Sequence, residues 1–227
     1  MSSTHHHHDH DHDHDHGHDH DQPHPHQPDM EDSMGHYQVM EVALRELLIE
    51  KGIITAEDVR RGIELMDSRS PALGAKIIAR AWVDAQFKSE LLADAGKAAR
   101  SLGIEPGATH LVAVENTPKL HNVVVCTLCS CYPRTVLGLP PDWYKSRSYR
   151  SRIVREPRAV LREFGTELHA DTEVRVHDST ADLRFLVLPM RPEGTEGWSE
   201  ERLAGIVTRD SMIGVTVARA DEVASAA

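Results

Sequence analysis

From residue 36 onward, apolar side chains recur at helical spacing. Val39, Val42, Ala43, Leu47 and Ile49 follow a three-and-four rhythm, and Gly52 ends the run. Thr55-Ala-Glu-Asp58 reads as a second helix start with Thr55 as its cap, and Ile63, Leu65 and Met66 follow. Pro71 opens a third helix running through Ile77, Ile78 and Ala81 to Trp82. Asp84 caps a fourth, which carries Phe87, Leu91, Leu92, Ala95 and Leu102 and closes at Gly103. This stretch holds few large aromatics and many charges, so its helices are expected to pack on a partner or on the next domain.

After Glu105-Pro-Gly107 the period shortens. His110–Glu115, Val123–Val125 and Leu183–Leu188 are β-like runs, and Glu173–Asp178 alternates as a half-buried strand does. Ile213–Val217 reads as a further strand. Pro157 introduces a helix to Phe164, and Ser199 caps another running to Ile206 or Val207. The fold class predicted is α+β: an N-terminal helical arm followed by a layered α/β domain of about 120 residues, enough for a core of its own. The expected division is a tail over 1–35, the arm over 36–104, the α+β domain over 105–218, and a flexible C-terminus over 219–227.

Composition changes the picture at one end. Of the 17 histidines, 12 lie in residues 1–29, with seven aspartates and no Lys or Arg. That segment carries −7 of the formal −11, leaving −4 on the other 198 residues. It contains no aliphatic or aromatic core formers after Met1, so it cannot offset the entropy of ordering and is expected to be disordered. It reads either as an expression tag or as a flexible store for borderline divalent cations. No apolar run approaches the roughly 20 residues of a membrane span. The N-terminus lacks the basic and apolar regions of a secretory signal, so a cytoplasmic location is expected. An acidic chain without a basic patch is a poor nucleic-acid binder.

The candidate chemistry lies in Val125-Cys-Thr-Leu-Cys-Ser-Cys-Tyr-Pro133. All three cysteines of the chain, Cys126, Cys129 and Cys131, fall within six residues. Three cysteines cannot build a disulfide framework. A structural zinc site normally takes four protein ligands, and a redox CxxC leaves Cys131 superfluous. A metal claw on one tight turn is the reading the spacing favours, with buried or redox cysteines as the alternatives.

This segment resembles the metal motif of nitrile hydratase α subunits, and of their close relative, the thiocyanate hydrolase γ subunit. The resemblance extends over Val114-Glu-Asn-Thr-Pro118, Leu137–Lys145, Tyr149–Val154, Glu156-Pro-Arg158, Glu163-Phe-Gly165, Val187-Leu-Pro189, Arg191–Trp198 and Val207–Gly214, within roughly residues 37–217. It implies one trivalent metal bound by the sulfurs of Cys126, Cys129 and Cys131 and by the backbone amides of Ser130 and Cys131. It implies cobalt (Co3+), with iron (Fe3+) as the alternative, because Thr127 is the choice of cobalt-type members. Cys129 is then expected as sulfinic and Cys131 as sulfenic acid, with Cys131 and Ser130 as the candidate catalytic residues. His177-Asp178 stands where relatives have a Trp-Asp pair and is expected to support the claw. The implied partners are one or two β-type chains, two of whose arginines hold the oxidised sulfurs, and a metal-inserting activator.

The implied reaction is hydration of a nitrile to the amide. Arg134, Thr127 and Tyr132 are the candidate substrate-pocket residues. Arg134 departs from the Trp of many nitrile hydratases and matches thiocyanate hydrolase, where a cationic pocket suits an anionic substrate. The His/Asp-rich tail also resembles that γ subunit. Gly107-Ala-Thr-His110 replaces the usual Gln-Gly-Glu, which fits a specialised or bulky, heterocyclic nitrile. Hydrolysis of thiocyanate and a non-enzymatic metal-carrying role are the alternatives.

Overall fold

The computed structural model describes residues 35–221. Most of the predicted tail, residues 1–34, and the C-terminal residues 222–227 lie outside them.

Five helices come first: α1 (His36–Glu50), α2 (Ala56–Asp67), α3 (Pro71–Val83), α4 (Ala85–Ala93) and α5 (Ala95–Ser101). Thr55 caps α2 as expected, its hydroxyl accepting from the Asp58 amide while the Asp58 carboxylate accepts from the Thr55 amide. Yet α1 and α2 bury no residue. Their apolar side chains, among them Tyr37, Val39, Met40, Leu44 and Ile63, face outward. Pro71 stands at the first turn of α3, where its missing N–H costs nothing. The single helix expected from Asp84 to Leu102 is two. Asp94 breaks it because its carboxylate accepts from the Lys97 amide and starts α5 afresh.

Four strands follow the helices: β1 (His110–Glu115), β2 (Leu120–Val125), β3 (Glu173–Asp178) and β4 (Leu183–Leu188). Neither β1 with β2 nor β3 with β4 forms a ladder. Instead β1 pairs with β4 and β2 with β3, both in parallel. Short turns join β1 to β2 and β3 to β4, so the two parallel pairs are coupled. Between β2 and β3 lie α6 (Arg134–Leu137), α7 (Asp142–Lys145), α8 (Arg147–Arg152) and α9 (Pro157–Glu163). The first three of these carry no periodicity long enough to be read from sequence. The chain ends with α10 (Glu200–Ala204), capped by Ser199, and α11 (Arg209–Ile213).

The expected strand over Ile213–Val217 is absent. Its β-branched residues follow α11, whose C-cap Gly214 is left-handed. The amides of Gly214 and Val215 bond back to the Asp210 carbonyl, so local capping overrides β propensity.

One core joins the two halves. Ile77, Ile78 and Leu91 from the helices pack in the same apolar cluster as Val123, Val125, Leu186 and Leu188 from the strands. Each fully buried side chain of this size stabilises the fold by about 1.5–3 kcal/mol. Gly74 permits a close approach: a Cβ there would lie 2.7 Å from both Leu137 Cδ2 and Met212 Sδ. Among the described residues no helix is long and apolar enough to cross a membrane.

Candidate metal centre

The site grows from the end of β2. Strand β2 is buried nearly throughout, so Val125 delivers Cys126 into the interior with 1 % of its surface exposed. The parallel register sets Asp178, last in β3, opposite Val125. The two strands therefore end together, and the Asp178 carboxylate meets the turn leaving β2. It accepts from the Thr127 amide at 2.9 Å and from the Thr127 hydroxyl at 2.6 Å. Beside it, the Ser179 amide donates to the Val125 carbonyl at 2.7 Å.

Pinned at Thr127, the chain curls over itself. The Cys129 amide donates to the Cys126 sulfur at 3.3 Å. Sγ of Cys129 lies 3.5 Å from that of Cys126 and 3.2 Å from that of Cys131. All three sulfurs fall within 4.8 Å of one another. Among the described residues no other group of three or more His, Cys, Asp or Glu side chains converges in this way. Cys129 is exposed and Leu128, at the tip, is 88 % exposed, so the claw opens outward.

The thiols are unequal. Hydrogen bonds from Cys131 and Cys126 lower the pKa of Cys129. Burial, reinforced by the two neighbouring sulfurs, pushes Cys131 up to about 12. Cys129 therefore gives up its proton more readily than Cys131 does. Three converging soft donors with an open side fit a single transition-metal ion, and they leave room for further ligands.

Two tyrosines brace the claw from beneath. Tyr144 donates its hydroxyl to the Cys131 carbonyl at 2.8 Å, and Tyr149 donates to the Val124 carbonyl at 2.7 Å. Burial raises the pKa of both, so both remain donors. Arg150 adds a bond to the Thr127 carbonyl at 3.4 Å. Tyr149→Phe removes the donor to Val124 in a dry interior, and the expected loss is about 1–3 kcal/mol of unfolding free energy in a denaturant titration.

A buried polar network steadies β2 itself. His121 donates through Nε2 to the Gly214 carbonyl at 2.7 Å, and burial holds it neutral by lowering its pKa. Its Nδ1 then accepts from Asn116 at 3.3 Å. The Asn116 side-chain oxygen accepts from the Asn122 amide at 2.7 Å, and the Asn122 oxygen accepts from His177 Nε2 at 2.9 Å.

The residues singled out by sequence divide clearly. Cys126, Cys129, Ser130 and Cys131 share one turn, with Thr127 at its base. Arg134 is exposed at the start of α6, three residues past Cys131. Tyr132 is 4 % exposed and packs edge-on against Tyr144 at 5.1 Å, which places its ring beneath the claw. Asp178 supports the claw, as expected of the His177-Asp178 pair, whereas His177 bonds to Asn122 instead. Sequence reasoning missed the roles of Tyr149 and Arg150. They are 25 and 23 residues from the atoms they hold, and no linear signal joins them.

Asp178→Asn tests the clamp, because it replaces one of the two carboxylate oxygens that accept from Thr127 with an N–H donor. Supporting groups of this kind are worth about 10–100-fold in metal affinity. The variant is expected to lose metal to a chelator more readily by that factor, with its thermal unfolding little changed.

The nitrile hydratase alpha chain family model matches residues 35–216. The cobalt-containing nitrile hydratase subunit alpha of Pseudonocardia thermophila is 53 % identical over 181 residues, covering 78 % of this chain and 89 % of that one. The thiocyanate hydrolase subunit gamma of Thiobacillus thioparus is 44 % identical over 200 residues, covering 83 % and 82 %. A solved double mutant of the Fe-type nitrile hydratase from Comamonas testosteroni Ni1 superimposes with a TM-score of 0.77 at 43 % identity, covering 87 % and 97 %. A fold shared at this level, with three sulfurs gathered at the end of β2, means that this chain belongs to the nitrile hydratase alpha chain family.

Proposed function

We propose that this chain is the metal-bearing α subunit of a cobalt nitrile hydratase that converts a nitrile to its amide. The observation that carries the reading is the convergence of Cys126, Cys129 and Cys131 within 4.8 Å on an outward-facing turn. Those three sulfurs and the backbone amides of Ser130 and Cys131 would hold the ion, cobalt by the Thr127 choice, with iron as the alternative. When bound, the ion supplies Lewis acidity that draws charge from the C≡N bond and makes its carbon electrophilic.

The chain's own residues do the positioning. Asp178 fixes Thr127 and with it the start of the claw, while Tyr144 fixes the Cys131 carbonyl at its end. Burial of Cys126 keeps water from one side, so substrate approaches from the open side beside Leu128. Ser130, half-buried between the two outer sulfurs, offers a hydroxyl to the reacting group. Cys129 as sulfinic and Cys131 as sulfenic acid would add three oxygens to the intact mass.

The outward apolar faces of α1 and α2 suit a β-type partner chain, which would complete the site, and an activator would insert the metal. A cytoplasmic setting, with the tail, arm and catalytic domain divided at about residues 35 and 104, fits this reading.

Arg134 favours a second reading. Its exposed guanidinium near the claw suits an anionic substrate, and hydrolysis of thiocyanate follows from that. Assay of the purified complex on a panel of small and heterocyclic nitriles and on thiocyanate separates the two. Amide formation without thiocyanate breakdown is expected; thiocyanate turnover without amide formation would sink the nitrile reading.

A further inference from the structure

A group of unpaired polar atoms lies beneath the exit of the claw. Tyr132 follows Cys131 directly, is 4 % exposed, and lies edge-on to Tyr144. Its hydroxyl is buried and has no hydrogen-bond partner among the described residues. The same holds for Arg209 Nε, Asp210 Oδ1 and Thr216 Oγ1, which belong to α11 and the turn after it. Together these make four of the seven such side-chain atoms among the described residues.

The four are neighbours. Arg209 Nε stands 3.9 Å from Asp210 Oδ1, beyond direct hydrogen-bond reach. The Thr216 amide approaches the Asp210 carbonyl at 3.4 Å. Arg209 and Asp210 are also the two charged residues whose fields act on the Tyr132 hydroxyl. Buried polar atoms left unpaired are costly, and nearly all of them find a protein group or an ordered water.

Their chemistry selects the ligand. Burial keeps the Tyr132 hydroxyl protonated, so it donates, and Arg209 Nε–H can only donate. The Asp210 carboxylate and the Thr216 hydroxyl oxygen can accept. Two donors and two acceptors are the complement of one water molecule. A cation would be repelled by Arg209 and an anion by Asp210, whereas a neutral molecule meets neither penalty. A gap of more than 3.5 Å between two polar atoms is also where a bridging water belongs.

We propose that Tyr132, Arg209, Asp210 and Thr216 form a binding site for one ordered water that ties the exit of the claw to α11. Tyr132 and Arg209 donate to the water, and the water donates to Asp210 and Thr216. Asp210 is then a positioning residue. Through the water it holds the Tyr132 ring against Tyr144, whose hydroxyl holds the Cys131 carbonyl. The effect on metal retention rests on the reading of the claw as a cobalt site; the water site itself does not.

A high-resolution crystal structure of the complex tests the site. A water within about 3.2 Å of both Tyr132 Oη and Asp210 Oδ1 is expected. No density there, direct pairing of these atoms, or a partner-chain group seated among them would overturn it. A double-mutant cycle on the rate of cobalt loss to a chelator tests the positioning role. Tyr132→Phe and Asp210→Leu are each expected to speed the loss several-fold, and the double variant no more than the larger single effect. Asp210→Asn keeps an acceptor oxygen and is expected to restore most of the parental rate. Single effects that multiply in the double variant, or an asparagine variant as fast as the leucine one, would overturn the positioning role. Complexes without cobalt in every version would instead contradict the metal assignment, while the electron density still decides the water site.

Discussion

Cys126→Ser is expected to strip the complex of retained metal and to reduce turnover by more than about 100-fold. Changes one shell out from a metal typically cost about 10–100-fold, and this one removes a donor itself. The Cys126 sulfur is the buried anchor of the claw, and it also accepts the Cys129 amide. Serine nearly matches the thiol in size and keeps an acceptor there, so the fold should persist while the soft donor is lost. Metal analysis after chelator dialysis, alongside thermal unfolding and partner retention, checks the outcome. Full cobalt retention in a folded variant would show that the ion is not held by this sulfur.

Gly214→Ala is expected to be the most damaging Gly→Ala change among the described residues. Gly214 sits at φ +91, and an added Cβ would stand 2.1 Å from the Asn122 carbonyl oxygen. Left-handed backbone costs a non-glycine residue about 1–2 kcal/mol. Overpacking against β2 adds about 1–3 kcal/mol. The sum is a large part of the 5–15 kcal/mol that typically holds a domain together. The shift would also disturb the Gly214 carbonyl that receives His121 and, through β2, the start of the claw. Gly165 provides the control. It too has positive φ, at +76, but nothing lies within 4 Å of its missing Cβ. Gly165→Ala should therefore show only the backbone cost. Denaturant midpoints of the two complexes make the comparison, and equal midpoints would contradict the close packing of Gly214 on β2.

Much of this architecture was legible in linear order. Thr55, Pro71, Asp84 and Ser199 announce helix starts through local chemistry, and the claw declares itself by three cysteines in six residues. Pairing was not legible. Val123–Val125 shows a buried strand, but nothing local says that its neighbour is β3, some fifty residues on, in parallel register. Only that register sets Asp178 beside Thr127 and gives the claw its fixed base. The run after Ile213 misleads for a related reason. Its β-branched residues carry strand propensity, yet Gly214 and the Asp210 carbonyl turn it into a helix cap. Short helices α6 to α8 escaped because four to six residues are too few to show a period. Those helices nevertheless carry Tyr144, Tyr149 and Arg150, the bracing groups that spacing alone leaves undetected.

The identity of the ion held by the three sulfurs decides the function. X-ray absorption at the cobalt edge of the chelator-washed complex, with metal stoichiometry on the same sample, tests it most directly. One retained cobalt per chain in a mixed sulfur and nitrogen shell is predicted, disappearing in Cys126→Ser. A sample free of cobalt, or cobalt surrounded only by nitrogen and oxygen, would contradict it.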